Sequence, residues 1–242
     1  MSALLGTSLG PLIPSDRYDT VGLRMLALER VLPYKIAVFH MGWCGLGYRA
    51  AGAAEHFVSF KAAFPAGRPA SSREAFEQDR DFVDFVSNSC AAGESLLFAI
   101  NAIASISHPQ AFPLAFSSDL RISYGDVAQR LVATFPAQPL TATMRGALDS
   151  KACKGLFAAR DVVLHRGRLP RQLFLSPERP SRLTVPTNPK DIPGAWDFDT
   201  TLEAQALDSW YDWLRGLIDR ALDDLLPFVL AAETSAPRPG AT

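Results

Sequence analysis

Residues 71–107 read SSREAFEQDRDFVDFVSNSCAAGESLLFAINAIASIS, and this stretch decides the fold class of the chain. It opens on Ser71-Ser-Arg-Glu74, a capping-box pattern that satisfies the first backbone N–H groups of a helix. Beyond it, apolar side chains recur at helical spacing, which predicts one helix up to about Ser107. A helix this long needs other helices to cover its apolar face. The sequence therefore predicts an all-α fold, a helical bundle with long helices.

Patterns of the same kind predict the remaining elements. Helical spacing covers Val21 to Phe39, with Pro33 as a break, and then Trp43 to Phe64. Ser123 with Asp126 caps a helix to Phe135, residues 141–165 form another with a break near Ser150, and a last helix spans 200–230. Residues 169–193 carry six prolines, and one short β-hairpin is predicted within 169–190, pairing 172–176 with 182–185.

These elements predict one helical domain over residues 16–232. Residues 1–15 contain Gly, Pro and Ser and are expected to form a flexible N-terminal arm. Residues 233–242 are expected to form a disordered tail. The chain is long enough to bury a sizeable core without a disulfide or a metal ion.

The composition predicts a cytoplasmic protein without a membrane segment. The N-terminus lacks a basic region followed by an apolar one, so no signal peptide is expected. The most apolar stretch, 90–106, is too short for a span and carries Glu94 and Asn101, which favours a buried helix. The three cysteines are far apart and lack C-x-x-C spacing, which is typical of reduced thiols.

A formal net charge of −1 hides two segments of opposite sign. Residues 145–182 hold nine Lys/Arg and three Asp/Glu, a net charge of +6, whereas residues 191–233 hold two Arg and ten Asp/Glu, a net charge of −8. Either the two segments pack together and neutralise each other, or the basic one forms an anion-binding face.

The motif that carries chemistry is Arg160-Asp-Val-Val-Leu-His165-Arg-Gly167. Asp161 and His165 are four residues apart, so the carboxylate can orient the imidazole on one helical face. His165 is expected in the last helical turn, with Gly167 as the cap. Three further arginines follow and add charge that attracts phosphate: Arg166, Arg168 and Arg171.

This motif resembles the R-x(4–6)-H motif of the HEPN superfamily, over a core of at most 71–167. The resemblance implies an all-helical fold and a homodimer in which two motifs form one RNA-cleaving cleft. It also implies a metal-independent endoribonuclease, often a toxin or a phage-defence protein, sometimes held by a neutralising protein partner. One branch of the superfamily has a tyrosine two residues after the histidine. The chain does not match that branch, because Gly167 stands at this position.

Two features leave alternatives open. Arg49 and His56 also fit the R-x(4–6)-H motif, with six residues between them, but alanine follows the arginine and the pair lies early in the chain, so it ranks second. Glu94 is the only charge between Cys90 and Ser107. It either pairs with Arg160, with Asn101 on the same side of its helix as a supporting residue, or it reaches solvent.

The sequence therefore predicts a HEPN-like ribonuclease that needs no cofactor and no metal ion. Arg160 stabilises charge on the phosphate, His165 is the general acid or base, Asp161 orients His165, and Glu94 orients Arg160. The alternative is a non-catalytic helical module that binds a nucleotide or a protein, with Arg160 and His165 as surface residues. The aromatic side chains Trp210, Tyr211 and Trp213 fit a core stripe better than a base-stacking surface.

Overall fold

A computed structural model describes residues 9–62, 71–114, 123–165, 171–172, 182–184, 201–202 and 204–236. At residues 164–165, in the strands and at residues 204–206 the description is of the backbone only. The described part of the chain contains seven helices: α1 (Ser15–Ala27), α2 (Pro33–Ala62), α3 (Ser72–Ser107), α4 (Tyr124–Thr134), α5 (Pro139–Asp149), α6 (Lys151–His165) and α7 (Ala204–Ser235). The predicted all-α helical fold is confirmed.

Three very short strands form one antiparallel sheet: β1 (Arg171–Gln172), β2 (Arg182–Thr184) and β3 (Thr201–Leu202). β1 pairs with β2, with Arg171 opposite Leu183 and Gln172 opposite Arg182, and residues 173–176 and 185 of the predicted hairpin lie outside the described part. β3 pairs with β2 and was not predicted, because residues 200–203 read as a helix cap. The last helix consequently begins at Ala204 and continues to Ser235, so the tail predicted from 233 is wrong for residues 233–235, and residues 237–242 lie outside the described part.

The helix ends follow the capping chemistry of the sequence. Glu74 accepts a hydrogen bond from the Ser71 backbone N–H at 2.8 Å, and the Ser71 hydroxyl accepts one from the Glu74 N–H at 3.2 Å. Ser123 accepts from the Asp126 N–H at 3.1 Å at the start of α4. Ser150 separates α5 from α6, and its hydroxyl accepts from the Cys153 N–H. Side chains that satisfy these N–H groups fix where each helix begins.

The chain divides into two compact units that do not follow its linear order. Unit 1 comprises residues 1–51, 91–149 and 214–242, and unit 2 comprises residues 52–90 and 150–213. Helices α2, α3 and α7 each contribute one part to unit 1 and the other part to unit 2.

The core of unit 1 is built on a close contact between α2 and α3. A Cβ atom at Gly42 would lie 2.8 Å from the Ala99 backbone nitrogen, so only glycine permits this approach. Beside it, the Trp43 ring is fully buried and stacks on Tyr18 at 4.5 Å between centroids. The Tyr18 hydroxyl donates a hydrogen bond to the Trp43 carbonyl at 2.6 Å, which satisfies the buried phenol.

The segment before α1 belongs to this core. Leu9, Leu12 and Ile13 are buried, at 7%, 1% and 5% exposure. The flexible arm predicted over residues 1–15 is therefore wrong from Leu9 onward, because these side chains cover the apolar faces of the helices. The first eight residues lie outside the described part.

The core of unit 2 is aromatic. Phe60 and Phe82 are fully buried, with ring centroids 5.9 Å apart, and Phe82 lies 6.3 Å from the Trp210 ring. Gly155 of α6 allows the Trp210 indole to approach its backbone. Trp210 and Trp213 are 8% and 9% exposed, which confirms that they are core residues.

Helix α3 is long and apolar enough to cross a membrane by length and composition alone. The protein itself buries 78% of the relevant window, and the core helix of a soluble protein passes the same test. No other helix in the described ranges meets this criterion.

Candidate functional site

Helix α6 carries the Arg160 motif in its last two turns. The described part of this helix reaches His165. The side chain of His165 lies outside the described part of the chain, as do Arg166, Arg168 and Gly167. Arg171 is described only as backbone, in β1. The helical placement of the motif is therefore confirmed, while the position of the imidazole stays a prediction.

Two neighbours on α6 hold the Arg160 guanidinium. Its Cζ atom lies 4.8 Å from the centroid of the Phe157 ring, within the range of a cation–π contact. Its Nη2 atom lies 3.7 Å from Oδ1 of Asp161. The side chain of Arg160 is 25% exposed and that of Asp161 is 31% exposed. A planar cation held by an aromatic face and accessible to water suits a phosphate ligand.

Asp161 was predicted to orient His165, and the ion pair with Arg160 gives this carboxylate a second role. The helical spacing that places Asp161 near His165 remains, since both residues belong to α6. One carboxylate between a cation and an imidazole can fix both groups. The contact between Asp161 and His165 itself stays a prediction.

The supporting residues proposed on α3 have contrasting environments. Glu94 is exposed, as the solvent-facing alternative predicts. The pairing of Glu94 with Arg160 is untested, because these residues fall in different units. Asn101 is fully buried in unit 1, and neither atom of its amide has a hydrogen-bond partner among the described residues. An amide in that position needs a bound water or another polar group to satisfy it.

The second motif match contains a histidine with defined partners. His56 Nδ1 lies 3.0 Å from Oδ1 of Asp81, and its Nε2 lies 3.8 Å from Oδ2 of Asp84. The side chain of Asp81 is 8% exposed, whereas that of Asp84 is 41% exposed. A buried carboxylate that fixes one ring nitrogen leaves the other nitrogen oriented, an arrangement suited to acid–base chemistry and equally to joining two helices.

Sequence reasoning missed the carboxylate partners of His56. Asp81 and Asp84 lie one turn apart on α3, and His56 lies on α2. The partnership depends on how these two helices pack, and no local motif encodes that. The usable signal was the three-residue spacing of the two aspartates, which places both on one helical face.

The arginine of that second match has a different environment. Arg49 is exposed, and its Cζ atom lies 5.5 Å from the centroid of the neighbouring Tyr48 ring. Arg49 belongs to unit 1 and His56 to unit 2, so each is described separately.

The aromatic side chains near His56 are packed against each other. Phe57 stacks on Tyr211 with ring centroids 4.1 Å apart. Lys61 Nζ lies over the Phe57 ring at 5.6 Å and contacts the Asp208 carboxylate at 2.7 Å. These contacts explain Tyr211 as part of helix packing, in agreement with the core interpretation of the last helix.

The acidic segment forms its ion pairs with the N-terminal half of the chain. Asp219 and Asp223 both contact Arg17, and Glu233 lies 3.7 Å from Arg24. Among the described residues of the basic segment, Arg145 pairs with Asp149 and Arg160 with Asp161. The choice between an anion-binding face and mutual neutralisation stays a prediction, because residues 166–182 and 191–203 have no described side chains.

Among the described residues, no group of three or more His, Cys, Asp or Glu side chains is placed to hold a metal ion. Comparison with protein-family models, with curated proteins and with solved structures gives no match.

Proposed function

We propose that this chain is a HEPN-like, metal-independent endoribonuclease that cleaves single-stranded RNA as a homodimer. Arg160 and His165 are the catalytic residues, Asp161 is the positioning residue, and the arginines that follow bind the RNA backbone. A cytoplasmic toxin or phage-defence effector is the setting that the family resemblance implies.

The observation that supports the proposal is the environment of the Arg160 guanidinium on α6. Its guanidinium is held by Phe157 and Asp161, is 25% exposed, and lies five residues before His165, the last described residue of the helix. The open carbonyl groups at a helix C-terminus favour a protonated imidazole at that position. A fixed cation and a titratable group in adjacent turns are what cleavage of a phosphodiester requires.

The reaction needs no external nucleophile. A base removes the proton of the ribose 2′-hydroxyl, and its oxygen attacks the adjacent phosphorus. The bond from phosphorus to the 5′-oxygen breaks, and an acid returns a proton to that oxygen. The products are a 2′,3′-cyclic phosphate and a 5′-hydroxyl end. In a dimer, one His165 accepts the first proton and the other donates the second, while Arg160 stabilises the added charge on the phosphorane.

The assay uses the purified chain with end-labelled single-stranded RNAs of mixed sequence in EDTA. We expect fragments that carry 2′,3′-cyclic phosphates, identified by mass and by their resistance to alkaline phosphatase until acid opens the ring. New 3′-hydroxyl ends at the cut sites, paired with 5′-phosphates on the downstream fragments, would contradict the proposal, because attack by the 2′-hydroxyl cannot produce them. Absence of cleavage on a full set of sequences would favour the non-catalytic binding module.

A further inference from the structure

Helix α6 carries a row of positions that leads from the start of the helix to the Arg160 motif. Successive members are three or four residues apart, which keeps them on one face of the helix: positions 151, 154, 158, 161 and 165. Lys151 and Lys154 are exposed, and the side chain of Asp161 is 31% exposed. The buried side chains of α6 lie off this row, at Cys153, Leu156, Ala159 and Val162. The row is therefore the side of α6 that is open to solvent.

The two lysines of this row carry charge that the described part of the chain does not neutralise. Neither ammonium group has a carboxylate partner among the described side chains. Asp161 is the only acidic residue of α6, and it is paired with Arg160. Asp149, just before the helix, is paired with Arg145. An exposed ammonium group without such a partner can bind a phosphate group as a point charge.

Two further features of α6 suit a strand of phosphates along the row. The first turn of a helix carries positive partial charge, and here that turn contains Lys151 and Lys154. Between the lysines and Asp161 the row holds only Ala158, whose small side chain lets a nucleic-acid backbone approach the helix. Near the other end of α6, the Arg160 guanidinium lies over the ring of Phe157. Positive charge is therefore present at both ends of this helix.

We propose that Lys151 and Lys154 bind phosphates of the RNA strand whose cleavage is proposed at Arg160 and His165, so that the strand lies along the exposed row of α6. This path rests on the proposed function, because it extends the same cleft to a longer substrate. Lys154 precedes His165 by 11 residues, which is about 16 Å along the helix axis. Two groups at that separation contact different nucleotides. The lysines therefore add affinity for a long single strand and do not touch the bond that is broken.

Substrate length separates these lysines from the catalytic residues. A dinucleoside monophosphate has one phosphate, the one that is attacked, so Lys154→Ala should change its kcat/KM by less than about two-fold. On a single-stranded RNA of about 20 nucleotides, the same variant should raise KM about 2- to 5-fold and leave kcat unchanged. His165→Ala should lower kcat on both substrates, because the chemical step is the same in each.

Fluorescence anisotropy of a labelled single-stranded RNA measures the contact without cleavage, in a His165→Ala background and in EDTA. Lys154→Ala should weaken binding about 2- to 5-fold at low salt concentration. The slope of log Kd against log salt concentration should fall by about 0.7, the value for one phosphate contact on a single strand. Adding Lys151→Ala should lower the slope by about 1.4 in total. Alanine favours helix formation, so circular dichroism should show an unchanged fold.

Lys61→Ala is the matched control, because Lys61 is paired with Asp208 at 2.7 Å, and it should change neither the affinity nor the slope. RNA binding that the α6 lysines do not affect, or that Lys61→Ala weakens equally, would overturn the path along α6, while cleavage by the parent would still support the proposed function. Binding that depends on Lys154 in a parent chain that cuts no RNA would contradict the proposed cleavage and support the path. A chain that binds no single-stranded RNA would overturn both.

Discussion

The two Arg–His motifs of this chain occupy different kinds of helical position. His165 is the last described residue of α6, and Arg160, five residues before it, is held by an aromatic ring and a carboxylate of its own helix. His56 lies within α2, and its imidazole is bound by a buried aspartate on another helix. A helix end exposes its groups to a ligand, whereas a bond between helices mainly stabilises the fold. The same pair of residue types therefore predicts catalysis at one position and packing at the other.

Removing each histidine gives the largest expected difference between the two motifs. His165→Ala should slow RNA cleavage in EDTA by ~100- to 10,000-fold, the contribution of a general acid or base. His56→Ala should change the rate by about two-fold or less once folded protein is compared at equal concentration, because a structural histidine adds nothing to the chemical step. Initial cleavage rates of both variants on one RNA test this difference. A larger loss for His56→Ala than for His165→Ala would place the active site on α2.

Replacing each arginine should give the next largest difference. Arg160→Ala should lower the cleavage rate by about 100- to 1,000-fold, because the guanidinium no longer stabilises the transition-state charge. Arg49→Ala and Arg145→Ala serve as controls, since both arginines are exposed and neither is assigned to the cleft. Arg160→Lys should recover only part of the activity, because lysine cannot present a planar pair of donors. Equal loss in all three alanine variants would indicate general electrostatic attraction for RNA.

For stability, the residues around His56 are expected to matter more than those of the Arg160 motif. Asp81→Ala should lower the free energy of unfolding by ~1–3 kcal/mol, because it removes a buried hydrogen-bond partner of His56. Asp84→Ala should lower it by about 1 kcal/mol or less, since that carboxylate is 41% exposed and lies farther from the ring. Urea denaturation followed by circular dichroism compares the two. A smaller loss for Asp81 than for Asp84 would contradict a structural role for the buried pair.

The smallest expected effect concerns a third histidine, His40 on α2, and the dependence of stability on pH. Burial lowers the pKa of His40, against a weaker opposing effect of Glu29. Below pH ~6.5 the unfolded chain therefore binds a proton that the folded chain resists, so stability should fall as the pH drops from about 7 towards the lowered pKa. His40→Gln should flatten this slope in urea titrations at pH 7 and pH 5.5. An unchanged slope would show that other groups determine it.

The sequence predicted those parts of the fold that depend on local chemistry. Ser71, Ser123 and Ser150 mark helix starts because their hydroxyl groups bind the adjacent N–H groups, and such contacts span only a few residues. The burial of Leu12 and the pairing of β3 depend on distant segments, so no local pattern revealed them. At the candidate site the helical placement of Arg160 and His165 was predictable, because helical spacing depends on neighbouring residues. The partners of His56 were not, since they belong to another helix.

The distribution of the tryptophans has an optical consequence. Trp43 belongs to unit 1 and is fully buried beside Tyr18, whereas Trp210 and Trp213 belong to unit 2. Trp196 lies outside the described residues. Replacing the other tryptophans by phenylalanine leaves a fluorophore in one unit at a time, so the emission of each unit can be followed during denaturation. Coincident transitions would mean that the helices shared by both units transmit unfolding through the whole chain, and separated transitions would mean that each unit melts on its own.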